Sequence, residues 1–187
     1  MKKLFPLCIL LLSGCALLQS SGEDLEDIPL QPVAQVDLDR YMGRWYMIAN
    51  IPYFAERGNV AVYVDYRRLA PNLIEDLYSA QDGFDLQRFT RTAEIEILNP
   101  ANNAEGHIYF FPAPAQDFSV LYLDEHYQYT MIGHPSRNFC WLFARGPDMP
   151  DDIYEKMRAV LKQNRFDVSR VLKIPQRPSQ TGAPGFQ

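Results

Sequence analysis

Strict alternation of apolar and polar residues, repeated in short segments, is the feature that most constrains this chain. Val60, Val62, Val64 and Tyr66 alternate with Ala61, Tyr63, Asp65 and Arg67. Ala93, Ile95 and Ile97 alternate with Glu94 and Glu96, and Phe139, Trp141 and Phe143 with Cys140, Leu142 and Ala144. Successive side chains of a strand point to opposite faces, so a period of two is what a half-buried strand requires. Turn signals fall at Glu56-Arg57-Gly58-Asn59, Ala70-Pro71-Asn72, Asp82-Gly83, Asn99-Pro100, Pro112 to Asp117 and Gly133 to Ser136. They divide the region into about eight closely spaced strands, the pattern of a closed meander barrel or a sandwich. An aromatic content of 13%, with 11 Tyr and 11 Phe, suits the pleated surfaces of either.

One segment has the helical period instead. Between Pro150 and Phe166, the residues Ile153, Met157, Val160, Leu161 and Asn164 fall on one stripe. Asp151 and Asp152 stand in its first turn and Lys162 and Arg165 in its last, each sign complementing the helix dipole. The spacing predicts one amphipathic helix packed outside a sheet. Residues 176–187, rich in Pro, Gly and Ser, read as a loose tail.

The first fourteen residues read as an address. Lys2 and Lys3 precede a mostly apolar stretch from Leu4 to Leu12, shorter than the about 20 residues of a spanning helix. That is a signal peptide, 1–14, ending in Leu12-Ser13-Gly14-Cys15. The ending resembles the lipobox of bacterial lipoproteins, which implies that Cys15 is acylated and becomes the first mature residue. Ala16, rather than Asp, follows it, and the resemblance then implies the outer membrane. Residues 15–36 carry Ser20, Ser21, Gly22, Pro29 and Pro32 among acids, and read as a flexible tether of roughly 70 Å at about 3.3 Å per residue. With Cys8 removed and Cys15 lipidated, Cys140 stands alone, so packing without an internal disulfide must hold the domain. The net charge of −5, made more negative by loss of Lys2 and Lys3, excludes a general nucleic-acid binder.

Gly43-Arg44-Trp45-Tyr46, at the opening of the first strand, matches the Gly-x-Trp signature of lipocalins. Arg145 ends the last barrel strand, where that family places an arginine. Asp124-Glu125-His126-Tyr127 lies between the sixth and seventh strands, where many members carry Thr-Asp-Tyr; the threonine is missing. Residues 37–175 thus resemble a lipocalin, most of all the bacterial lipoprotein branch related to apolipoprotein D. The resemblance implies an all-β fold: an eight-stranded antiparallel up-and-down barrel with one C-terminal helix outside and a short last strand over Ser169 to Ile174. It implies that Gly43, Trp45 and Arg145 close the barrel, with the guanidinium over the indole.

It also implies a cup. With Trp45 inward, strict alternation turns Met47 and Ala49 inward. The family register adds Val62, Val64, Ile95, Ile108, Phe110, Val120, Tyr122, Phe139 and Trp141, a lining with one hydroxyl and no charge apart from the floor arginine. Its loop at 112–117, Pro-Ala-Pro-Ala-Gln-Asp, departs from the aromatics of bacterial members. The function implied is binding, storage or transport of a fatty acid, lysophospholipid or similar ligand in the bacterial envelope, the barrel facing the periplasm. The rival reading is an envelope scaffold with a filled barrel. Partners would be the lipid, the membrane through the acyl anchor, and a second copy in a homodimer; no cofactor or metal is called for. His107, His126 and His134 stand at no recognisable catalytic spacing, and there is no Gly-x-Ser-x-Gly elbow, so the expectation is a protein that is not an enzyme. Cys140, out of phase with Trp141, should face outward under the helix.

Overall fold

The computed structural model describes Leu25 and residues 28–110 and 114–187. The predicted leader, Cys15 and the first part of the tether lie outside these residues, as do Pro112 and Ala113.

Eight strands follow one another as antiparallel neighbours: β1 (Gly43–Ile51), β2 (Val60–Ala70), β3 (Leu73–Gln81), β4 (Phe89–Ile97), β5 (Glu105–Tyr109), β6 (Gln116–Leu123), β7 (Tyr129–Gly133) and β8 (Cys140–Ala144). β1 pairs with both β2 and β8, so the sheet closes on itself and leaves no edge among the eight. This is the expected up-and-down barrel. A ninth strand, β9 (Leu172–Lys173), adds to β1 from outside. It is shorter than the expected Ser169 to Ile174, because Val168–Arg170 form a 3-10 turn capped by the Asp167 carboxylate.

Two apolar clusters share the sheet. One fills the barrel and includes Trp45, Met47, Val62, Val64, Ile95 and Phe143. The other lies outside, where α2 (Asp151–Gln163) presses Tyr154, Met157 and Leu161 onto Cys140, Leu142 and Met131. Trp141 and Phe143 belong to the inner set and Cys140 and Leu142 to the outer, as alternation in β8 requires. Arg165, at a left-handed φ of 65°, stops the helix.

Register shifts occur in β1, β2 and β6, and those in β1 and β6 alter the expected lining. β1 pairs Met47 with Phe143 but Ala49 with Leu142, so Ile48 is an extra residue. β6 pairs Val120 with Ile132 but Tyr122 with Met131, so Leu121 is another. A bulge inverts every side chain beyond it. Ala49 and Tyr122, expected inside the cup, therefore lie in the outer cluster under α2, where Lys156 approaches the Tyr122 ring at 5.5 Å.

Both ends are better ordered than their composition predicts. Residues 28–36 are no free tether: Val33 N–H donates to Val120 O, Val36 N–H to Asn102 O, and Val36 is 1% exposed. The expected loose tail is also docked. Lys173 N–H donates to Gly185 O, Gln187 N–H to Lys173 O, and the Gln187 amide to Asn50 Oδ1 at 2.9 Å. Backbone groups that would otherwise be left unpaired on β9 are satisfied by this return.

Candidate ligand-binding site

The closed end is sealed by a stack. α1 (Leu38–Tyr41), capped by the Asp37 carboxylate, leads into β1 through Gly43, whose φ of 92° suits a residue without a Cβ. The Arg145 guanidinium lies 3.7 Å from the centre of the Trp45 ring. It donates to the carbonyls of Arg44 and Arg40 at 2.8 Å, Tyr41 at 3.2 Å and Tyr127 at 3.2 Å. Trp45 is 0% exposed and its indole N–H donates to Tyr41 O. The Tyr41 hydroxyl meets Thr130 Oγ1 at 3.1 Å. Beside the stack, the Asp124 carboxylate accepts from the N–H groups of His126, Gln128 and Tyr129, so the aspartate of the partial second motif pins the β6–β7 turn.

Above this floor the barrel is filled, then opens. A small void of about 20 Å³ borders Tyr41, Tyr66, Ile74, Ile95 and Val120. Met47, Val62 and Val64 are packed above it and at most 2% exposed, and Ile108 is partly buried against the same cluster. The open end holds a cavity of about 370 Å³. Of the predicted lining only Phe110, Phe139 and Trp141 reach it. The cup is therefore shallower than the strand pattern suggests, with the lower half given to side-chain packing.

The mouth is also more polar than expected. Glu56, Arg91, Tyr78, Tyr53, Gln116 and His134 complete its wall. Glu56 sits on a 3-10 turn, Phe54–Glu56, between β1 and β2. Its carboxylate accepts from Trp141 Nε1 at 3.0 Å, Asn50 Nδ2 at 3.2 Å and Tyr53 N at 3.1 Å. Burial nevertheless raises its pKa to about 6, with those donors and Arg91 pulling the other way. Asn50 reaches Glu56 only because the bulge at Ile48 reverses the phase of β1. Arg91 is exposed at the rim and donates to Ala55 O at 3.4 Å. Asp76 faces inward on β3, between Ile74 and Tyr78; burial and the Glu56 charge lift its pKa to about 7. Burial pushes the Cys140 thiol up to about 12, which leaves it an inert packing group.

Glu56 was read as turn punctuation, and so missed. Tyr78 and Asp76 could have been found by extending the period of two into β3, where Ile74, Asp76 and Tyr78 share a phase.

The family model described as Lipocalin-like domain matches residues 36–176. The chain belongs to the lipocalin family. Among similar proteins is the outer membrane lipoprotein Blc of Vibrio cholerae, 27% identical over 174 residues that cover 91% of this chain and 95% of that one. Apolipoprotein D of Mus musculus is 26% identical over 160 residues, covering 79% and 82%. Among solved structures, insecticyanin of the tobacco hornworm Manduca sexta superposes with a TM-score of 0.63 at 16% identity, over 81% of this chain and 87% of that one. This lipocalin thus shares its fold with proteins of distant sequence and its branch with the Blc lipoproteins and apolipoprotein D.

Proposed function

We propose that this lipocalin binds a single-chain amphiphile, a fatty acid or lysophospholipid, with its chain in the mouth cavity and its anionic head group at Arg91. The observation that carries the reading is the cavity of about 370 Å³, walled by Phe110, Phe139 and Trp141 and rimmed by one guanidinium. The Glu56 carboxylate on the same wall is held by three donors, which leaves Arg91 as the rim group that attracts an anion. The proposed role is one of binding, and Cys140, the one cysteine among the described residues, lies buried beneath α2 and away from the cavity.

An envelope setting fits the path of the chain. Residues 36 to 28 climb the outside of the barrel, and Ile28 O accepts from Arg137 in the β7–β8 loop, at the mouth. A lipid on Cys15 would hold the mouth toward the outer membrane. Phe54, 72% exposed, and Leu86, 54% exposed, project at that end. The packed lower barrel favours the rival scaffold reading, so the decisive experiment must separate the two.

Hexadecanoic acid added to delipidated protein should change tryptophan emission saturably. Trp141→Phe should remove most of the change, since Trp45 lies sealed at the floor. Affinity should fall by about 0.8 kcal/mol for each methylene removed from the chain. Equal weak binding at every length, or normal binding by a folded Trp141→Asp protein, would replace the cup with the scaffold.

A further inference from the structure

Asp76 is a buried carboxyl that nothing in the fold accounts for. Its Oδ1 is buried and has no hydrogen-bond partner among the described residues. Leaving such an atom unpaired is costly, and native proteins do so at few places. Asp76 also stands at a boundary. The next inward residue toward the mouth, Tyr78, lines the upper cavity. Its neighbours across and below, Tyr66 and Ile74, line the small void at the floor. The register sets Tyr78 opposite Arg91 and Asp76 opposite Ala93. Asp76 is therefore one inward row deeper than the rim cation, about 7 Å along the strand.

A plain acyl chain entering from Arg91 would run its methylenes past this carboxyl, and a carboxyl gains nothing from methylenes. A hydroxyl at that depth changes the outcome. We infer that the ligand is a hydroxylated acyl chain, its carboxylate or phosphate at Arg91 and its hydroxyl, a few carbons below the head group, hydrogen-bonded to Asp76. The inference rests on the reading of the cup given above and names the ligand more narrowly. A hydroxyl suits the position better than an ammonium. It donates to the carboxylate and accepts from the protonated acid, whereas an ammonium only donates. The groups that face Asp76 are Glu56, Tyr41, Tyr66 and Tyr78, with Arg91 beyond them, and none of them supplies the missing bond.

The test compares 3-hydroxyhexadecanoic acid, hexadecanoic acid and hexadecylamine in competition for the cup of the full-length mature protein. The wild type should prefer the hydroxy acid over the plain acid by about tenfold, the worth of one hydrogen bond to a charged group. Asp76→Val should lose that preference and bind the plain acid more tightly, because the chain then passes an apolar side chain. Asp76→Ala, which cannot clash with Tyr66, should also lose the preference and serves if the valine variant does not fold. Binding of the plain acid without a hydroxyl preference overturns this inference and leaves the cup intact. A preference that survives both substitutions overturns it too, as does a wild type that takes the amine most tightly. Failure of both acids to bind overturns the cup reading, and this inference with it.

Discussion

At the closed end of the barrel, the Arg145 guanidinium covers the Trp45 ring and donates to four backbone carbonyls. Toward the mouth, Asp76, one row below the rim, keeps an oxygen without a partner among the described residues, and Glu56 holds a carboxylate against the pull of burial. The contrast separates two uses of buried polar groups. A charge surrounded by partners fixes a structure, because every alternative arrangement leaves something unpaired. A charge short of partners lowers stability and leaves a position that a ligand can complete. The floor of this lipocalin is built in the first way, and Asp76, one row below the rim, in the second.

The largest effect expected from breaking the contrast lies at the floor. Arg145→Ala should lower stability by about 3 kcal/mol, because it removes a cation over the indole and strands carbonyls that now accept charged donors. Denaturant unfolding with an unchanged slope would give the value directly. A double-mutant cycle with Trp45→Phe should show coupling of about 1 kcal/mol. Absence of coupling would mean that Arg145 acts through the carbonyls alone, and the stack at 3.7 Å would be a contact without energetic consequence.

At the mouth the sign reverses. Asp76→Asn should raise stability, by about 2 kcal/mol at pH 8 and by little at pH 4. The folded protein holds the Asp76 proton up to about pH 7, whereas its ordinary value is 3.8. Between these values the folded state binds more protons than the unfolded one, so wild-type stability falls as pH rises from about 4 to about 7. Glu56, raised from 4.5 to about 6, adds a fall of the same sign over a narrower window. The asparagine variant should therefore show a flatter pH profile than the wild type, and what remains should end near pH 6. A profile that is unchanged by the substitution would show that Asp76 is not the group held protonated.

The same two regions differ in how far they could be read from residues alone. Gly43, Trp45 and Arg145 were legible through the resemblance that their motif carries; alternation, unbroken through β8, marked the strands but left barrel and sandwich open until that resemblance decided between them. The mouth was not legible, for three physical reasons. Bulges at Ile48 and Leu121 invert the strands beyond them, and no residue type announces a bulge, so Ala49 and Tyr122 were assigned to the wrong face. Glu56 lies in a turn whose composition reads as solvent-exposed, and only the fold of that turn over the barrel buries it. Met47, Val62 and Val64 have the pattern of a cup wall, but the pattern cannot distinguish a wall from a filling. Depth is a property of packing across the barrel, and it exists only once all eight strands are in place.

The C-terminal residues give the smallest effect and connect the two regions. Their composition predicts looseness, yet Gln187 donates to Asn50 Oδ1 at 2.9 Å, and its Oε1 accepts from Gly58 N at 3.1 Å. Asn50 in turn donates to Glu56 at 3.2 Å. Deleting residues 185–187 removes these bonds together with the two backbone bonds to Lys173. Gly58 and Lys173 lie near solvent, where water can replace the lost partners, and only the bond to the buried Asn50 goes unreplaced, so the cost should be about 1 kcal/mol. The consequence for the site is more specific. Asn50 would lose one of the three contacts that orient its amide, and Glu56 would hold its donor from Asn50 less firmly. With a weaker donor the Glu56 proton should be released at higher pH, shifting the pH dependence of Trp141 fluorescence upward from about 6. A truncated protein with lowered stability but an unshifted fluorescence titration would show that the tail braces β9 alone, and that the mouth keeps its electrostatics without it.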